Sequence, residues 1–94
     1  MNEFFESLGK LWKAAAERHG VKIEPPELDG KVATELLELA RVVSHTKERR
    51  FAPLATYTAG IAVERSRQAK GEDAEATAAF IREVREALEN EQPA

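Results

Sequence analysis

The sequence predicts an all-α protein, an antiparallel bundle of four helices in one domain spanning residues 1–94. Three observations carry this. Apolar residues recur at spacings of three and four in four separate stretches. Glycine and proline fall mainly between those stretches and are otherwise sparse, five and four in 94 residues. The better helix formers Ala, Leu, Glu, Lys and Arg dominate. No stretch alternates with the period of a strand, and a chain of this length suits a single core.

The first helix is expected over about 2–19. Phe4, Leu8, Leu11, Trp12 and Ala15 share one stripe, which is expected to face the core. Asn2 or Met1 precedes the first turn, Glu3 and Glu6 suit its positive dipole end, and Arg18 and His19 suit the other. Gly20 is the expected left-handed stop. Phe5 lies off the stripe and is the aromatic expected to be exposed. The connector Val21–Leu28 contains Pro25 and Pro26, which exclude a helix; its Val21, Ile23 and Leu28 are expected to lie against the bundle.

A second helix follows Asp29, over about 30–46, with Val32, Leu36, Leu39, Ala40 and Val43 inward and Leu37 and Val42 widening the stripe. Glu35 and Glu38 fall on its expected polar side. Pro53 opens the third helix, over about 53–70, with Leu54, Tyr57, Ile61 and Val63 inward. Gly60 in mid-helix is expected to mark the close approach of another helix. After Gly71 a fourth helix, over about 73–90, carries Phe80, Ile81, Val84 and Leu88, then frays into the polar tail Asn90–Ala94.

The absence of cysteine excludes disulfides, thiolate metal sites and a Cys nucleophile. His19 and His45 are the two histidines, and neither has a second ligand at helical spacing, so no metal site is expected. The glycines are scattered singly, which excludes a phosphate-binding loop. Ser44 and His45 are adjacent on a helix and diverge by roughly 100°, so they make no nucleophile–base pair. The chain is therefore expected to be no enzyme and to hold no cofactor. Residues 47–70 carry six Lys and Arg against two Glu, whereas residues 71–94 carry seven carboxylates against two Arg. Such opposite segments suit antiparallel neighbours or a solvated mixed surface, not a nucleic-acid interface. No apolar run approaches the roughly 20 residues of a membrane span, and the acidic N-terminus is no secretory signal; a cytoplasmic protein is expected.

One corner has concentrated chemistry. His45, Arg49 and Arg50 gather where the second helix gives way to the third, with Thr56 and Tyr57 one to two turns on. Basic groups at a helix N-terminus suit a phosphate or carboxylate. The same residues also stabilise the C-terminal dipole of the second helix, and Phe51 can plug the bundle end.

The run Leu36-Leu37-Glu38-Leu39-Ala40-Arg41-Val42-Val43-Ser44-His45, continuing through Glu48-Arg49, Ala52-Pro53-Leu54, Tyr57 and Gly60, carries a family pattern. It resembles an uncharacterised family of small bacterial helical domains, found alone or as a tail on molybdenum cofactor guanylyltransferases. The pattern falls on Ala40, Arg41, His45, Glu48, Arg49, Ala52, Pro53, Leu54 and Gly60; Ser44, Lys47 and Arg50 depart from it. The resemblance implies an association with molybdenum cofactor assembly and a docking or carrier role. The function expected is a non-enzymatic helper or interaction module with an unknown protein partner, using the His45–Tyr57 corner or the first helix. The alternatives are an anionic-ligand binder at His45, Arg49 and Arg50, and a homodimer sealed through the first helix.

Overall fold

A computed structural model describes residues 2–91. It contains four helices, α1 (Glu3–Arg18), α2 (Gly30–Thr46), α3 (Phe51–Lys70) and α4 (Ala74–Asn90), and no strand among the described residues. The class is all-α, as the periodicity predicts. The helix limits agree with expectation to within two residues, α3 beginning at Phe51 so that Pro53 sits in its first turn. Met1 and the end of the polar tail lie outside the described residues.

The chain divides into two compact units, residues 1–30 and 31–94. In the first, the Asn2 side chain caps α1 by accepting from the Phe5 amide at 3.1 Å. At the other end Gly20 takes a positive φ of 83°, its amide donates to the Glu17 carbonyl, and the Val21 amide reaches back to Ala16. This paired closure satisfies carbonyls that the helix end would otherwise orphan. The connector meets α1 through its prolines. Val21 and Ile23 are exposed instead of sheltered, because Pro25 and Pro26 occupy the contact with α1 at Gly9.

That contact moves the close-approach glycine from the expected position. A Cβ on Gly9 would stand 2.8 Å from the Pro26 carbonyl oxygen, whereas one on Gly60 would meet nothing within 4 Å. Gly60 therefore carries the entropic cost of a mid-helix glycine with no packing return. Gly60→Ala is expected to stabilise the protein by about 0.5–1 kcal/mol, read as a higher urea midpoint. Gly9→Ala is expected to cost about 1–2 kcal/mol, because the backbone of Pro26 must give way. The fluorescence of Trp12, the only tryptophan and a residue of the same unit, follows that change.

The second unit is built on Leu39 and Val43 of α2 and Ile81 of α4, with Val32, Leu36, Ala55, Ala59, Val63 and Leu88 packed around them. Ion pairs fix the relative direction of α2 and α4. Lys31 meets Glu75, Glu35 meets Arg82 and Arg85, and Arg41 meets Glu89, so the partners advance together along α2 and α4. These two helices run parallel and face each other directly, and α3, joined to each by a short turn, runs back antiparallel to them against the same core. The attraction expected between α3 and α4 is thus directed mainly from α4 to α2. Asp73 starts α4 by accepting from the Ala76 amide at 2.9 Å, and Gly71 ends α3 at a φ of 68°.

Within this unit, assignments on all three helices change. Val84 is exposed, and Arg85 takes the next place on the inner side because Glu35 supplies its counter-charge. Glu35, expected on the polar side of α2, is buried, 8% exposed, while Leu37 is exposed. On α3 the buried side is the small-residue row Ala55, Ala59 and Val63, not Leu54, Tyr57 and Ile61. Small side chains let α3 approach the shared core closely, and the large ones are turned outward.

Candidate interaction surface

The His45–Tyr57 corner is a tight connection. The Lys47 amide still donates to the Val43 carbonyl, and the Phe51 and Ala52 amides donate to Glu48 and Arg49. Pro53 has no N–H, so these first-turn positions of α3 present no amide to an anion. The Thr56 hydroxyl donates to the Pro53 carbonyl at 2.9 Å. Arg50 pairs through Nε with Glu48 at 3.2 Å and lies 5.8 Å from the centre of the Phe51 ring. His45, Arg49 and Arg50 are all exposed. The corner thus gathers charge on the exposed surface.

What the corner does begin is a row. Arg50 has helical backbone angles, φ −70° and ψ −14°, so the spiral of α3 extends back through it. Successive helical residues turn by about 100°. Arg50, Leu54, Tyr57, Ile61 and Arg65 therefore fall on one side of α3, roughly opposite Ala55, Ala59 and Val63. The exposures agree: Leu54 is 63% and Tyr57 71% exposed, Ile61 is exposed as well, and the opposite row packs on the core. Arg50 and Arg65, both exposed, bracket the apolar triad, each four residues away. Glu64 sits at the Tyr57 edge of the row and pairs with Arg67 at 4.0 Å.

A family model described as "Domain of unknown function (DUF6457)" matches residues 5–94. The chain belongs to this family. No curated protein and no solved structure matches it.

Within this DUF6457 domain, α1 carries a second exposed apolar set: Phe4, Leu11 and Trp12, expected to face the core, are instead exposed. Phe5 is half-buried and stands edge-on to Phe4 at 5.0 Å, so the exposed member of the pair is Phe4 and not Phe5. Among the described residues no group of three His, Cys, Asp or Glu side chains is placed to hold a metal ion, and no helix is long and apolar enough to cross a membrane.

Sequence reasoning missed one electrostatic feature of the DUF6457 domain. Glu35 receives Arg82 Nε at 3.0 Å and Arg85 Nη2 at 3.4 Å, and Arg85 Nη1 donates to Glu89 at 2.9 Å. Desolvation works against the Arg85 charge, but the fields of Glu35 and Glu89 outweigh it and raise its pKa. The signal was present: Glu35 is three residues after Val32 and four before Leu39, squarely on the apolar stripe.

Proposed function

We propose that this domain is a non-enzymatic interaction module that docks a protein partner on the outward side of α3. The observation that supports this is the row Leu54, Tyr57 and Ile61, large apolar side chains held in solvent on a helix whose opposite side is anchored in the core. Exposed apolar groups collected on one rigid element mark association surfaces, whereas scattered ones do not. The lack of cysteine, of a phosphate loop and of a paired histidine gives no catalytic set to set against this reading. The resemblance to tails of molybdenum cofactor guanylyltransferases supports a docking role and nominates molybdenum cofactor proteins as the first partners to try.

The experiment is a paired affinity capture from the producing cells, using the full chain and Leu54→Glu. A defined partner retained by the wild type and lost from the variant is expected. A partner retained equally by both would overturn this site. Concentration-dependent self-association of the wild type, abolished in Leu54→Glu, would instead assign the surface to a second copy.

A further inference from the structure

We infer that the partner presented to α3 is an acidic amphipathic helix, with an apolar seam and a carboxylate at each end. This rests on the docking reading above and adds the chemistry of the occupant. The row from Arg50 to Arg65 extends about 22 Å at the rise of an α-helix. Its centre is Leu54, Tyr57 and Ile61, and its two ends are guanidinium groups.

Charge decides among occupants. A second copy presenting its own α3 face would bring Arg50 against Arg65 when antiparallel, or each arginine against its own counterpart when parallel. Both arrangements juxtapose like charges. The stretch 47–70 reinforces this, with Lys47, Arg49, Arg67 and Lys70 beyond the two bracketing arginines and Glu48 and Glu64 as the only acids. A basic partner is repelled in the same way. A helix with Asp or Glu about four turns apart places a carboxylate on each guanidinium while its apolar seam covers the triad.

The existing pairs do not prevent this exchange. Arg50 is bound to Glu48 in a surface pair with its side chain 79% exposed, and such pairs contribute little and re-form readily. Arginine also suits the task better than lysine, since its planar fork engages a carboxylate through two donors. Electrostatic bracketing of this kind fixes orientation and speeds encounter more than it adds affinity.

The test is a display selection of amphipathic helical peptides, randomised at the flanking positions, on the immobilised full chain. The expected pool is enriched in Asp and Glu at positions about 15 residues apart, four turns at the helical repeat. Arg50→Glu/Arg65→Glu is expected to weaken the selected peptides at least about tenfold and to favour Lys-flanked versions instead. Circular dichroism of that variant, altered only at exposed positions, should match the wild type. A pool that needs Leu54 and Tyr57 but has no acidic bias and ignores the charge reversal overturns the inference while leaving the docking site. A pool that binds Leu54→Ala/Tyr57→Ala as well as the wild type overturns both, as does a selection that enriches no helix.

Discussion

Glu35→Ala is expected to lower the unfolding free energy by about 2–3 kcal/mol, a large share of the stability of a domain this size. The carboxylate is buried between α2 and α4 and holds two guanidinium groups there. Removing it affects them unequally. Arg82 is half exposed and turns its charge to water, whereas Arg85 is largely covered and retains only Glu89. Its Nε is already buried without a hydrogen-bond partner, so the loss of Glu35 leaves a poorly satisfied cation inside the unit. The figure lies at the low end for a broken buried pair because water reaches Arg82. Glu35→Ala/Arg85→Ala should cost less than the two single changes together, since neither leaves the other stranded. Urea denaturation measures all three. An unchanged midpoint in Glu35→Ala would show that the network does not hold α2 to α4.

Ile81→Ala is expected to cost about 2–4 kcal/mol, while Leu54→Ala and Tyr57→Ala stay within about 0.5 kcal/mol of the wild type. Ile81 is 3% exposed and shares the core with Leu39 and Val43, so its truncation leaves a cavity between helices. Leu54 and Tyr57 are equally apolar but touch water, and their removal costs folding almost nothing. The contrast matters for function. Large apolar groups that do not stabilise the fold are free to serve the proposed contact with a partner. Were Leu54→Ala as damaging as Ile81→Ala, the outward side of α3 would be part of the fold.

Much of this architecture was legible in the residues. Asn2, Gly20, Asp73 and Gly71 mark helix ends through local chemistry that needs no tertiary context, and each stands at a helix end. The core of α2 and the place of Ile81 followed from a single dominant stripe. α3 did not yield in the same way, because it has two apolar rows. Size favours Leu54, Tyr57 and Ile61, but the row that packs on the core is the small one, Ala55, Ala59 and Val63. Glu35 was placed outward by its charge alone, whereas its position on the stripe and the arginines of α4 decide its burial. Gly60 looked like a crossing point by type; which glycine meets another segment depends on where Pro26 lies. At the corner, the sequence singles out His45, Arg49, Arg50, Thr56 and Tyr57 by type and spacing alone. Their division, with Thr56 bonded to its own helix and Arg50 and Tyr57 joining an outward row, required the turn geometry.

If the outward side of α3 docks a protein, a probe placed there meets that partner. Site-specific photocrosslinking in the producing cells tests this most directly, with a benzophenone side chain at Tyr57 and, as control, at Ala76, an exposed position of α4. One discrete adduct is expected from position 57, heavier than a dimer of this chain or otherwise distinct from it, and none from position 76. No adduct at 57, the same adducts from both positions, or a crosslinked second copy of this chain would contradict that docking.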